Sequence, residues 1–256
     1  MDLLRKKDSR LPLWLFVILF LVLVEILVRT RVLSPASYAS PTEIVLALPR
    51  LFWEQGFLVD LSATIWRTLV GLAIGFPLGI LIALGIYSLG KAQSSGEMLL
   101  DFVRSIPITT LIPLFIAIYG VGDKNKIVIG AFAAMLVTAL TVWVGIKEER
   151  RKFEVLLYLY QPRYLKKIFL IILPCILPTL IAALKLAVSS TLVLVVVAEM
   201  FVGTRSGIGK VINDMTYSDN RAAQYAVIFC AGVLGYALNH MLDRINKRIA
   251  NKYKLP

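Results

Sequence analysis

Apolar residues fill long, nearly unbroken runs in this chain, and the charged residues collect between them. A helix needs about 20 apolar residues to cross the hydrocarbon core of a bilayer. Six runs approach that length: 11–28, 61–89, 102–121, 127–146, 168–198 and 222–242. The first carries Glu25 near its end, the second Arg67 and the third Arg104 near its start, while the fourth has no charge. The fifth holds Pro174, Pro178 and Lys185. The pattern predicts an all-α polytopic membrane protein with six transmembrane helices. A signal peptide is the rival reading of the first run, but no small-x-small cleavage site follows it before Arg29 and Arg31.

Between the first two runs lies a semi-polar stretch with Pro35, Pro41 and Pro49. Ser40-Pro41-Thr42-Glu43 reads as the start of a short amphipathic helix reaching Trp53, because Ser caps well and Pro suits the first turn. It is expected to lie on the outer surface. No internal repeat, low-complexity tract or interdomain linker appears. The chain divides into residues 1–60, with tail, first span and amphipathic segment, and a core of 61–256 with a loop at 147–170.

Composition agrees with the pattern. Of 256 residues, 58% are hydrophobic and 17% charged, against about 25% charged in soluble domains. Disordered, collagen-like, coiled-coil and disulfide-scaffold classes are excluded. Cys175 and Cys230 both sit in apolar runs and form neither a disulfide framework nor a metal motif. His240, the single histidine, leaves little room for imidazole chemistry, and no metalloprotease or serine-elbow motif is present. With six spans, one side receives 17 Lys/Arg and the other 8. The positive-inside rule then places both termini in the cytoplasm. A net charge of +12 is matched by anionic lipid and calls for no nucleic acid.

Solute pathways use broken helices, tolerated in a membrane only where they are buried or line water. Gly71, Gly75, Pro77, Gly79 and Gly85 punctuate the second run; close helix packing explains them better than a break. In the third, Pro107, Thr109, Thr110 and Pro113 follow Arg104, and a kink and a broken span remain equal readings. Ionisable groups inside spans face the bundle or reach an interface. Arg104 is expected to snorkel, Lys185 and Glu199 to face inward. The run from Gly203 to Lys210 looks like a phosphate loop but has one residue too many between its glycines. Val211 also stands where magnesium needs a hydroxyl. ATP hydrolysis by this chain is not expected.

The basic loop at 147–168 has a greasy middle, suited to a membrane surface or a cytosolic partner. Here the chain resembles the permease subunits of type I ABC importers, of the MetI-like fold and the nitrate/sulfonate/taurine group. The resemblance rests on Ile171-x-Leu173-Pro174 with Pro178, and on Arg104-Ser-Ile-Pro107 with Ile112-Pro113. Further matches are Tyr119-Gly-Val-Gly122 with Lys126-Ile127, Val197-Ala-Glu199-Met200, and Ser206-Gly-Ile-Gly209. One departure stands out. The glycine of the family's coupling loop falls on Gln161, its Glu-Ala-Ala on Val155-Leu156-Leu157, and Glu154 is one residue out of register.

The resemblance implies an inner-membrane permease that forms half of a pathway and does no covalent chemistry. ABC ATPase subunits carrying ATP and magnesium would bind below, and an external solute-binding protein would deliver a small solute. A second permease would complete the pathway, either a copy of this chain or a different subunit with an intact loop. The coupling loop it implies comprises Glu154, Val155, Leu156, Leu157, Tyr158, Tyr160, Gln161, Pro162, Arg163 and Tyr164. Polarity and position add the pathway candidates Arg104, Pro107, Thr109, Thr110, Lys185, Glu199 and Met200. Arg104 and Lys185 point to an anion such as nitrate, a sulfonate or taurine. The alternatives are a vitamin or pyrimidine precursor, or a receptor or regulatory subunit that transports nothing.

Overall fold

The computed structural model describes residues 13–253 except 55, 161 and 202. Among them no strand occurs. Twelve α-helices follow one another: α1 (Leu13–Arg29), α2 (Pro41–Glu54), α3 (Phe57–Ser88), α4 (Gln93–Arg104), α5 (Ile112–Tyr119), α6 (Asp123–Glu148), α7 (Arg150–Tyr160), α8 (Tyr164–Lys167), α9 (Leu173–Cys175), α10 (Leu177–Phe201), α11 (Ile208–Tyr217) and α12 (Arg221–Tyr253).

Helices α3, α6 and α10 pack side by side and form the body of the bundle. The α3–α6 seam is the tightest. A Cβ on Gly75 would stand 2.1 Å from the Ala131 carbonyl oxygen, and one on Gly79 2.5 Å from that of Met135. Three glycines at four-residue spacing, Gly71, Gly75 and Gly79, therefore let two backbones touch. The second apolar run is one continuous 32-residue helix, and Gly71, Gly75 and Gly79, though not Gly85, serve packing.

At one end, called here the Arg150 end, Trp143, Ile146, Phe153, Ile172 and Ile176 bury one another. At the opposite, Asp123 end, Leu51 of α2 and Phe57 of α3 meet Ile208 and Ile212 of α11 and Val227 of α12. Helix α2 opens with a reciprocal cap: the Glu43 N–H donates to Ser40 Oγ (3.3 Å) and the Ser40 N–H to Glu43 Oε2 (2.8 Å). Glu25 of α1 also accepts from the Thr42 N–H at 3.1 Å, which ties α1 to the start of α2. The rest of α1 exposes Trp14, Phe16, Phe20 and the leucines around them, as a lipid-facing helix does.

Among the described residues, four helices are long and apolar enough to cross a membrane: α3, α6, α10 and α12 through Arg244. The third run is broken, one of the two readings open for it, and it begins at residue 90, ahead of the apolar stretch expected at 102–121. It is a pair of segments, Gly90–Arg104 and Ile108–Tyr119, bent by 76°, and counts as a fifth span if taken together. The cause is Pro107, which has no N–H to donate and disfavours helix at the residue before it. Helix α4 stops at Arg104, and a tight turn over Ile108–Leu111 starts α5. The fifth run is not straight from residue 168 either. A π-helical turn over Ile168–Ile172 and a break at Ile176 precede α10, beside Pro174 and Pro178. Of the first run, residues 13–28 form α1, which continues to Arg29, while residues 11 and 12 lie outside those described.

Candidate functional site

Asp60, Thr64 and Arg67 lie three and four residues apart, so they share one face of α3 at the Asp123 end. The Arg67 side chain is only 4% exposed. Its Nη1 donates to Glu199 Oε1 (2.5 Å) and to the Ser206 carbonyl (2.8 Å). Its Nε and Nη2 donate to Asp123 Oδ1 at 3.0 and 2.7 Å. One planar guanidinium thus ties α3 to the end of α10, the start of α6 and the loop before α11. A buried charge is tolerated only when paired and hydrogen-bonded, and both conditions are met here.

Glu199 is buried as well, and two further donors hold it: the Thr64 hydroxyl at 2.8 Å and the Gly209 N–H at 3.0 Å. The Ile208 N–H donates to Thr64 Oγ1 (2.9 Å) and the Gly207 N–H to Asp60 Oδ1 (2.7 Å). The open N–H groups at the start of α11 therefore bind two carboxylates and a hydroxyl of the chain itself, where a phosphate loop would bind phosphate. Gly207 has φ +137°, and a Cβ there would stand 2.4 Å from the Glu199 carboxyl carbon, so the position requires glycine. Buried Lys126 donates to the carbonyls of Val121 (3.1 Å) and Gly122 (3.3 Å) and fixes the turn between α5 and α6.

The other sequence-derived candidates are spread over the bundle. Arg104 ends α4 with an exposed side chain paired to Asp101 at 3.0 Å. Lys185 is half-buried and forms an ion pair with Asp243 of α12. Thr109 and Thr110 line a cleft of about 430 Å³ with Ile112, Pro113, Ile116 and Phe201, and the Thr110 hydroxyl bonds back to the Pro107 carbonyl at 2.7 Å. Pro107 is exposed at the bend. Met200, half-buried, packs with the apolar cluster around Phe57 and Ile208. Glu199 alone joins the ionic cluster. Asp60, Thr64 and Asp123 were missed from sequence; the α3 spacing around a charged Arg67 is the signal that points to them.

The loop at 147–168 is mostly helical. In α7, Phe153 is fully buried and stacks edge-on against Tyr87 of α3, with ring centroids 5.7 Å apart. Leu156 and Leu157 are partly buried on the same cluster. Val155, Tyr158, Leu159 and Tyr160 face outward, with Tyr158 80% exposed. Arg150 pairs with Glu154 (2.6 Å), and a hydrogen bond to Glu149 holds the Lys152 ammonium above its ordinary pKa. Pro162 and exposed Arg163 follow; Gln161 and the Tyr164 side chain lie outside the described residues. Lys167 sits over the Tyr87 ring, 4.9 Å from its centroid.

These features define a multi-pass helical membrane protein with one sharply broken span and a helix projecting apolar side chains from one end. Residues 75–254 match the family described as binding-protein-dependent transport system inner membrane component, and the chain belongs to that family. It is similar to the formylaminopyrimidine transport permease of Halalkalibacterium halodurans, with 26% identity over 90% of this chain and 92% of that one. It is also similar to an aliphatic sulfonates transport permease of Bacillus subtilis, with 23% identity over 85% of this chain and 79% of that one. A nitrate import permease of Leptolyngbya laminosa is 23% identical over 77% of this chain and 70% of its own length. The chain is an ABC importer permease.

Proposed function

We propose that this chain crosses the membrane six times with both termini in the cytoplasm and forms half of a solute pathway, driven by separate ATPase subunits that hydrolyse ATP with magnesium. An external binding protein delivers the solute at the Asp123 end. The observation that carries this reading is the two-sidedness of α7. One side is anchored in the bundle through Phe153, while Val155, Tyr158, Leu159 and Tyr160 remain uncovered at the basic Arg150 end. Exposed tyrosines and aliphatics are the side chains that fill pockets on a protein partner. Force applied there reaches α3 through Tyr87 and reaches α10 through the π-helical turn, a form of helix often found at functional sites.

The coupling segment Glu154–Tyr164 departs from the family pattern at Gln161 and at Val155-Leu156-Leu157. That favours pairing with a second, different permease. The solute is small. Arg104 and Lys185, the cations that point to an anion, are paired with Asp101 and Asp243, and Arg67 with Asp123 and Glu199. Paired cations favour an uncharged solute, such as the pyrimidine precursor named for the Halalkalibacterium relative, over the sulfonate and nitrate named for the others.

Co-purification in mild detergent tests this. An ATPase is expected to elute with the wild-type chain and to be lost, by about tenfold or more, from the Tyr158→Asp/Leu159→Asp double variant. Both positions are exposed, so the fold should survive. Undiminished ATPase on that variant overturns the docking face. Two copies of this chain with no other permease overturn the mixed pair.

A further inference from the structure

Where α7 gives way to α8 at the Arg150 end, a cleft of about 580 Å³ opens between α7 and the π-helical turn. Leu156 and Tyr160, four residues apart on one face of α7, form one wall, and Leu170 and Ile171 form the other. Arg163 and Lys166 complete the lining. The Lys167 N–H donates to the Arg163 carbonyl at 2.9 Å, so the turn of α8 winds from Arg163 onward. That winding brings the two cations, three residues apart, to one side. No carboxylate is among the described lining residues.

Other basic side chains at this end already have partners. Lys147 pairs with Glu97, Arg150 with Glu154 and Lys152 with Glu149, while Lys167 lies over the Tyr87 ring. Arg163 and Lys166 are exposed and have no ion pair among the described residues. Two uncompensated cations thus face walls that are otherwise apolar or phenolic. The apolar wall continues outward, because Phe169 and Leu170 are 64% and 68% exposed on the segment that leads into membrane-crossing α10. The cleft therefore joins a place for negative charge to a surface for hydrocarbon, as basic pockets for lipid headgroups do. The docking face proposed above projects from the other side of α7, through Val155, Tyr158 and Leu159.

We propose that this cleft binds the headgroup of an anionic phospholipid from the leaflet at the Arg150 end. The planar Arg163 guanidinium takes two phosphate oxygens, Lys166 adds a point charge, and the Tyr160 hydroxyl donates to a third oxygen. The acyl chains run along Leu170 and Phe169. A lipid seated there bridges the end of α7 to the π-helical turn ahead of α10. The site calls for no particular solute and stands apart from the importer reading.

Fluorescence quenching by spin-labelled lipid tests the site. Phe169→Cys carrying a bimane is placed in a Cys175→Ala/Cys230→Ala background, and the full chain is reconstituted in phosphatidylcholine vesicles. Phosphatidylglycerol or phosphatidylcholine with a nitroxide high on one acyl chain is then titrated in. Phosphatidylglycerol should quench with a preference of about tenfold. Arg163→Gln/Lys166→Gln, both at exposed positions, should bring the preference to within about twofold. Lys91→Gln/Arg151→Gln removes the same charge from exposed positions at this end and should leave the preference intact. No preference in the parent overturns the site, and an equal loss in the Lys91→Gln/Arg151→Gln variant overturns it in favour of diffuse attraction. Inorganic phosphate, compared with chloride at equal ionic strength, should not relieve the quenching. Relief by phosphate overturns the lipid in favour of a free anion. Loss of the preference when a co-purified ATPase is bound overturns it in favour of a protein contact.

Discussion

Replacing Arg67 with methionine is expected to destabilise the protein by about 3–5 kcal/mol, because it leaves Glu199 buried without its counter-charge. Glu199 is 1% exposed and cannot turn to solvent, and Thr64 and the Gly209 N–H satisfy its lone pairs without neutralising it. In a chain of this length a loss of that size lowers Tm by on the order of 10 °C. Arg67→Lys should recover only part, since a point-like ammonium cannot reach Glu199, Asp123 and the Ser206 carbonyl together. The Arg67→Met/Glu199→Met double variant should be more stable than Arg67→Met alone, because both charges leave the interior together. Thermal unfolding in one detergent, read by tryptophan fluorescence, decides this. A Tm of Arg67→Met within about 2 °C of the parent would show that the cluster does not hold this end of the bundle closed.

The second large effect is steric. Gly75→Ala places a Cβ 2.1 Å from the Ala131 carbonyl oxygen and 2.7 Å from the Ala134 Cβ. Two backbones cannot absorb that as a flexible side-chain tip would, so α3 and α6 must move apart, at a cost of about 1–3 kcal/mol or more. Gly85 lies on the same helix, where an added Cβ meets nothing within 4 Å. Gly85→Ala should therefore be neutral or stabilising by up to about 1 kcal/mol, since alanine suits a helix better than glycine. The pair separates a packing requirement from a general sensitivity of α3 to substitution. Equal behaviour of the two variants in the unfolding assay would refute the interlocked seam.

Much of the helix inventory was legible because lipid-crossing segments announce themselves by length and hydropathy alone. The α3, α6, α10 and α12 runs were placed within a few residues at most ends, and Ser40-Pro41-Thr42-Glu43 marked the start of α2. Ends that carry charge were set too short. Asp123 and Lys126 begin α6, although apolarity starts only at Ile127, because helix formation extends past the greasy stretch where side chains find partners. For the third run a kink and a broken span were equal readings, and the break is what is found. Its apolar pattern reads straight through Pro107, and only the missing N–H breaks it.

Site residues were legible one at a time and not as a set. Glu199 was recognised as an inward-facing charge, yet its partner Arg67 lies 132 residues away in sequence and no spacing rule links them. Lys185 was placed inward and is found paired with Asp243, a contact that depends on how α12 lies along α10. The run from Gly203 to Lys210 has one residue too many between its glycines for a phosphate loop. That its amides instead bind Asp60 and Glu199 depends on the packing of α3 and α10 beside it.

The central claim is that α7 carries force between ATP hydrolysis and the bundle. The most direct measurement is ATP hydrolysis by the complex in proteoliposomes, with and without its external binding protein, for the wild type and for a Phe153→Ala variant. Phe153→Ala cuts the anchor of α7 but leaves its exposed face unchanged. The account predicts several-fold stimulation by the binding protein in the wild type, and an ATPase that stays bound but no longer responds in Phe153→Ala. Equal stimulation in both would contradict it.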